Sequence, residues 1–202
     1  RAALIGNWRA LDRLSGRARA GAALKADGYG LGAREVLPAL QQAGCRDFFV
    51  AHWQEAAALL DLAAPGSLAV LHGPLSDADT AFARASGVKP VINSLDQARR
   101  WLAGGGGPCD LMVDTGINRI GLAMADLGDP AVQALNIDTL HSHLAAADEA
   151  SPLNAMQLAR WQEARGAVPH VRASLANSAG ITLGEAYHGD LTRPGLALYG
   201  GI

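Results

Sequence analysis

The sequence predicts an α/β fold in which eight parallel strands close into a (β/α)8 barrel of the TIM type. Three observations favour it: short apolar runs recur along the whole chain, segments with helical periodicity separate most of them, and polar residues collect just after the runs. Each run is short enough for one strand, and the eight are 22–25, 47–51, 68–72, 89–93, 110–114, 137–144, 172–177 and 190–194.

Strands that alternate with helices call for a parallel sheet, and eight such units can close a barrel. An open, doubly wound sheet is the alternative. We expect the weakest helices after residues 71–73 and after 176–180, and a loop at the glycine run 104–107. Residues 1–202 contain no linker and are expected to form one barrel domain. The predicted helical segments are 33–44, 53–63, 93–104 and 153–166. Asn93 or Ser94 is the expected N-cap of the third segment.

Composition argues against several classes of function. Basic and acidic residues are nearly balanced, 17 against 19, so no basic stripe is available for nucleic acid. No apolar stretch reaches about 18 residues, which argues against a membrane span. Cys45 and Cys109 lack metal-type spacing and the N-terminus lacks signal-peptide features, so we predict a reducing, cytoplasmic location without disulfides.

Lys25 ends the first run, directly before a turn that contains Gly28, Gly30 and Gly32. An amine at the end of a buried strand is partly desolvated, and desolvation disfavours its charged form. A neutral lysine can form a Schiff base with an aldehyde cofactor or a carbonyl substrate. Tyr29 has a hydroxyl that can reach a phosphate. The alternative is a solvated lysine at a strand end.

The fifth and sixth runs lead into two further candidates. Arg119, in a loop between Gly116 and Gly121, suits bidentate binding of a carboxylate, with a surface salt bridge as the alternative. His141 and His143 share one face of a strand, but no further cluster completes a metal site, so we predict no metal and rank a metal-dependent hydrolase last. His143, nearer the strand end, can stack on a planar cofactor. His141 is expected to be packed and hydrogen-bonded to backbone, and Asp148 and Glu149 to cap the next segment.

The last two runs lead into Asn177, Ser178 and the segment 193–195. Barrels of this type often bind a phosphate there, although either polar residue can equally be a helix cap. One ligand satisfies all these sites, since it has an aldehyde for Lys25, a phosphate for the last two loops and a flat ring between them. Pyridoxal 5′-phosphate (PLP) fits that description.

Five motifs, in order and spanning essentially the whole chain, resemble those of bacterial alanine racemases: LKADGYGLG, DTGINRIGL, SHLAAADE, SLANSAG and RPGLALYGG. The resemblance implies a PLP-dependent barrel of fold type III that interconverts L- and D-alanine for cell-wall precursors and acts as a homodimer. It further implies that Lys25 holds the cofactor and is one of two bases. Arg193 contacts the pyridine nitrogen, His143 flanks the ring, and Arg119 orients the substrate carboxylate.

The same resemblance assigns the cofactor phosphate to Tyr29, Ser178, Gly195 and Leu196, with Asn177 beside them. Members of the family have a second, mainly β domain that supplies a tyrosine as the other base. The sequence stops at Ile202, so we expect a fragment with weak activity. Tyr187 and Tyr199 do not match the missing base, and Met112 stands where some members have a carbamylated lysine.

Two questions stay open at this point. A single-domain, non-catalytic PLP-binding protein is the alternative function, and a carboxylate ligand docked at Arg119 distinguishes the two. Alanine, serine and lysine racemases share this barrel, so the motifs do not select the amino acid.

Overall fold

The computed structural model describes residues 1–201. The strands are β1 Arg19–Ala20, β2 Ala22–Ala23, β3 Phe48–Val50, β4 Leu68–Val70, β5 Lys89–Ile92, β6 Pro108–Asp114, β7 Leu122–Ala123, β8 Asn136–His141, β9 Arg172–Ser174 and β10 Leu191–Thr192. Seven of them form one parallel sheet in the order β2-β3-β4-β5-β6-β8-β9, and β7 pairs with β6 off this path.

β10 closes the sheet into a cylinder. On one side it pairs in parallel with β1, and the contact continues where Ala23 N donates to Pro194 O over 3.0 Å. On the other side Asp190 N donates to Ala173 O, and Arg193 N donates to Ala176 O over 2.9 Å. β1 and β2 are separated only by Gly21 and together form the first barrel strand. The predicted (β/α)8 barrel is therefore confirmed.

The helices lie mostly between successive strands, as predicted, with some differences in extent. They are α1 Ala2–Leu14, α2 Lys25–Tyr29, α3 Ala33–Ala43, α4 Trp53–Ala57, α5 Asp77–Ser86, α6 Leu95–Ala103, α7 Pro130–Gln133 and α8 Pro152–Ala167. Short 3-10 turns cover Met124–Asp126, Gly180–Leu183, Glu185–Tyr187 and Leu196–Tyr199. α4 ends at Ala57, six residues before the predicted boundary at 63.

Helix caps explain two of the differences. Ser76 and Asp79 form a reciprocal capping box, which supports α5 after the run where we expected a weak helix. Ser151, not Asp148 or Glu149, caps α8, because its hydroxyl accepts from Leu153 N and Pro152 begins the helix. Ser94 caps α6, one of the two residues predicted for it.

The core has two layers, because alternate strand residues face opposite sides of the sheet. Phe48, Val50 and Leu111 belong to the large cluster between strands and helices. Phe49 and Met112 belong to a small cluster with Ala69, Val91 and Leu191. Lys89 and Asp110 stand two residues before Val91 and Met112 on the same strands, so these charged side chains share the barrel interior with this small cluster. None of the helices within residues 1–201 is long and apolar enough to cross a membrane.

Candidate active site

Lys25 begins α2 directly after the first barrel strand, and the backbone that follows it is left-handed. Residues 26–29 all have φ between 51° and 63°. Only one of the four is glycine, and this conformation costs an ordinary residue roughly 1–2 kcal/mol. Asp27 helps to hold the turn, since its Oδ1 accepts from Ala33 N over 2.7 Å. Apart from its glycines, no sequence pattern predicts this turn.

Glu55 on α4 is the second anchor of this turn, and sequence reasoning missed it. Its Oε1 accepts from Ala26 N over 2.6 Å, while Oε2 accepts from Ala51 N over 2.7 Å and His52 N over 3.2 Å. The carboxylate thus links the end of β3 to the residue after Lys25. The only sequence signal is its place at the third position of α4, where an acidic residue completes a capping box.

Tyr29 reaches from this turn to the loop after β10. A Cβ built on Gly195 lies 2.3 Å from the Tyr29 hydroxyl, so any larger residue at Gly195 displaces it. The ring of Tyr29 stacks on that of Tyr199, with centroids 4.6 Å apart. Burial raises the pKa of Tyr29, which keeps its hydroxyl protonated and able to donate.

Ser178 follows β9, and its hydroxyl contacts the same loop after β10 that Tyr29 reaches. Its Oγ accepts from Gly195 N over 2.9 Å and from Ala197 N over 3.1 Å. Two backbone amides that converge on one oxygen form a concavity suited to an anion. Asn177 uses its Oδ1 to accept from Gly180 N, which is a turn-capping role, and Leu196 is about half exposed.

Arg193 follows β10 and is buried. Its Nη1 donates to Ser174 O over 2.9 Å, to Ser174 Oγ and to His141 Nδ1 over 3.1 Å, and Nη2 donates to Ser142 O. Burial lowers the pKa of Arg193 to about 10, so the guanidinium stays charged at neutral pH. His141 is packed as expected, but its partners are the side chains of Arg193 and Asp110 and not the backbone. That part of the prediction was wrong, because burial among charged neighbours supplies the imidazole with side-chain partners.

His143 lies just beyond β8, close to three of the other candidates. Its pKa is lowered to about 3 by burial first, and then by the positive charges of Arg193, Arg119 and Lys25. The ring is therefore neutral at pH 7. Gln157 on α8 fixes this loop, because Nε2 donates to His143 O and Oε1 accepts from Ala145 N, each over 2.9 Å.

Arg119 is exposed in the loop between β6 and β7. Asp114 shapes that loop, since its Oδ1 accepts from the backbone of Gly116, Ile117 and Asn118 over 2.8–3.2 Å. The predicted residues thus all lie just after the carboxyl ends of strands, where barrels of this type place their chemistry. No group of three metal-binding side chains occurs among residues 1–201.

A family model described as "Alanine racemase, N-terminal domain" matches residues 1–202. The chain belongs to the alanine racemase family. Among curated proteins of this family, the alanine racemase of Rhizobium meliloti (strain 1021) is 47% identical over 209 residues, which cover 98% of this chain and 55% of that protein. The alanine racemase of Rhodospirillum rubrum is 46% identical, with 98% and 56% covered.

Solved structures of the alanine racemase family agree in fold. The crystal structure of alanine racemase from Bartonella henselae, with covalently bound pyridoxal phosphate, superposes with a TM-score of 0.89 at 35% identity. The superposition covers 98% of this chain and 61% of the Bartonella henselae chain. This chain spans a little more than half the length of the curated Rhizobium and Rhodospirillum relatives.

Proposed function

We propose that this chain is the barrel portion of a PLP-dependent racemase that interconverts L- and D-alanine. The observation that carries the proposal is that Lys25, Ser178 and Arg193 each follow a barrel strand at the same rim, and that both Lys25 and Arg193 lie close enough to His143 to lower its pKa. Family membership supports it, as do relatives named alanine racemase and the covalently bound cofactor in the Bartonella henselae enzyme.

The site residues fit PLP in their chemistry. Because Gly195 has no side chain, the Tyr29 hydroxyl can lie against its backbone, and the Ser178 hydroxyl stands where two amides could also meet a phosphate oxygen. The hydrogen bonds that Arg193 makes within residues 1–201 all come from Nη1 and Nη2, which leaves Nε–H available to a ring nitrogen. Tyr29, Ser178, Gly195 and Leu196 are assigned to the phosphate and Asn177 to the turn beside it.

Bound PLP supplies an electron sink that acidifies the Cα proton of an amino acid. Lys25 is assigned to hold the cofactor and to move that proton on one face of Cα. A guanidinium has no lone pair, so Arg193 cannot accept a proton from a partner and leaves the atom that it faces unprotonated. His143, neutral because its pKa is about 3, would flank the cofactor ring without adding charge. Arg119 is assigned to the substrate carboxylate.

We place the second base outside these 202 residues. Tyr29 is committed to the Gly195 loop, and Tyr199 donates to Ala23 O over 2.8 Å with a pKa that burial raises. Tyr187 lies at the edge of the apolar cluster around Trp161. The relatives are longer than this chain, and we assign the second base to a tyrosine of a further domain. We place the complete enzyme in the cytoplasm as a homodimer that supplies cell-wall precursors.

Borohydride reduction in the presence of PLP tests the cofactor assignment. The chain has two lysines, and Lys89 is held 2.6 Å from Asp138, so it serves as the internal control. We expect a pyridoxyl group on Lys25, its loss in Lys25→Arg and its retention in Lys89→Arg, each read by peptide mass spectrometry. Labelling of Lys89, or none in folded protein, contradicts the assignment.

Racemisation tests the two-base account. We expect slow interconversion of alanine enantiomers by this chain and fast interconversion by the full-length protein that contains it, measured by chiral chromatography with alanine, serine and lysine as substrates. Full activity from the 202 residues alone refutes an external second base. An equal preference for serine or lysine refutes the choice of alanine.

A further inference from the structure

A line of buried polar side chains in the barrel interior ends at Arg193. Asp110 on β6 and His141 on β8 are 1% and 0% exposed. His141 Nε2 lies 3.1 Å from Asp110 Oδ2, and His141 Nδ1 lies 3.1 Å from Arg193 Nη1. Behind them, Lys89 Nζ lies 3.7 Å from Asp110 Oδ1. None of these contacts follows from local sequence patterns, because they join β5, β6, β8 and the end of β10.

The order of donors and acceptors fixes the histidine tautomer. A guanidinium only donates, so Nδ1 of His141 must be the acceptor toward Arg193. The ring proton is then on Nε2, from which it is donated to Asp110. Burial and the nearby Arg193 lower the pKa of His141 to about 4, which agrees with a neutral ring.

Asp110 is ionised in this arrangement. Burial raises its pKa, but the hydrogen bond from His141 and the positive charges of Lys89 and Arg172 more than offset this, so the pKa lies below its usual value. Asp110 Oδ1 is also occupied, because it accepts from Thr139 N over 3.1 Å. Asp110 Oδ1 therefore accepts from Thr139 N and faces Lys89, while Oδ2 is left to accept from His141 Nε2.

We propose that Asp110 and His141 form a positioning pair for Arg193. Asp110 holds the proton of His141 on Nε2, and the free lone pair on Nδ1 holds Nη1 of the guanidinium, so that Nε–H keeps one orientation toward the ligand site. The role toward a cofactor ring rests on the proposed function, whereas the tautomer and the arginine contact do not. Neither residue touches the reacting atoms.

Nitrogen-15 NMR of the histidine-labelled chain without cofactor tests the tautomer directly. The chain has six histidines, so the His141 signals are identified by their loss in His141→Asn. At pH 7 we expect a protonated Nε2 and an unprotonated Nδ1. A proton on Nδ1, or on both nitrogens, overturns the proposal without any reference to PLP.

Asp110→Asn provides the sharper perturbation. Its oxygen must still accept from Thr139 N, so its NH2 group faces His141 Nε2 and drives the ring proton to Nδ1. The Nδ1–H group of His141 and the Nη1–H group of Arg193 are then two donors that face each other. We expect the NMR signature to invert and PLP affinity to fall by about tenfold or more, as for loss of one charge-assisted hydrogen bond.

Two histidine variants separate orientation from packing. The amide oxygen of His141→Asn can occupy the place of Nδ1, so we expect PLP binding near that of the native chain. In His141→Gln the amide reaches the place of Nε2 instead, and we expect weaker binding. Asp47→Asn is the matched control, because Asp47 binds Arg172 over 2.9 Å in the same network without touching Arg193.

Equal PLP affinity in Asp110→Asn and Asp47→Asn, with an unchanged His141 signal, overturns the proposal. If Asp110→Asn does not fold, the NMR spectrum of the native chain still decides the tautomer. Failure of the native chain to bind PLP counts against the proposed function, while the NMR result stands separately.

Discussion

Replacing Glu55 by alanine tests whether a single carboxylate holds the left-handed turn after Lys25. The substitution removes an acceptor from three backbone amides, those of Ala26, Ala51 and His52. A partly exposed hydrogen bond contributes roughly 0.5–1 kcal/mol, so we expect a loss of about 2 kcal/mol in the free energy of unfolding. For a chain of this size that corresponds to a fall of roughly 4–8 °C in Tm.

The loss should be concentrated at the turn. Ala26 and Asp27 have φ of 53° and 51°, a conformation that relaxes once its anchor is removed. Amide hydrogen exchange in residues 25–30 should therefore accelerate more than in the rest of the barrel. Glu55→Gln should recover only part of the loss, because its NH2 group opposes an amide that needs an acceptor.

The control for this experiment is Glu35→Ala. Glu35 lies in the first turn of α3, close to the same segment, and is exposed. If Glu55→Ala and Glu35→Ala change Tm and exchange at residues 25–30 equally, the carboxylate does not hold the turn and the reasoning is wrong.

Three further predictions concern the ligand site and its histidines. Gly195→Ala should weaken PLP binding at least tenfold in a fluorescence titration, because its Cβ meets the Tyr29 hydroxyl at 2.3 Å, whereas Gly128→Ala, with open space around it, should not. Ser178→Ala should weaken PLP binding and lower Tm slightly, since two amides lose their acceptor; an unchanged affinity contradicts the phosphate assignment. The pKa values of His141 and His143 are lowered to about 4 and about 3 in the folded chain, so the free energy of unfolding should fall as pH drops from about 6.5 toward 4. The fall should reach up to about 1.4 kcal/mol per pH unit for each ring. If the free energy of unfolding of His143→Asn falls equally steeply, His143 does not contribute to this pH dependence.

The barrel strands could be predicted because their signal is local. Runs such as 47–51 and 68–72 are apolar on both faces, as strands covered by helices must be, and β3 and β4 lie within them. Because the site of such a barrel lies at the carboxyl ends of its strands, the sequence alone predicts that Lys25, His143 and Ser178 share one rim.

The left-handed turn and the supports of the site could not be predicted in the same way. Ala26 has no intrinsic preference for positive φ, and its conformation depends on Glu55, 29 residues away. Asp110 reads as the polar start of a strand, and its partner His141 is 31 residues further on. Such contacts arise from strand order and register, which single-sequence periodicity does not contain.

A crystal structure of this chain with PLP is the most direct measurement of the central claim. We expect electron density continuous from Lys25 Nζ to the pyridine ring, with the phosphate against Gly195 N and the hydroxyls of Ser178 and Tyr29, and the ring nitrogen facing Arg193 Nε. Cofactor density attached to Lys89, or a phosphate bound away from the loops after β9 and β10, contradicts the account.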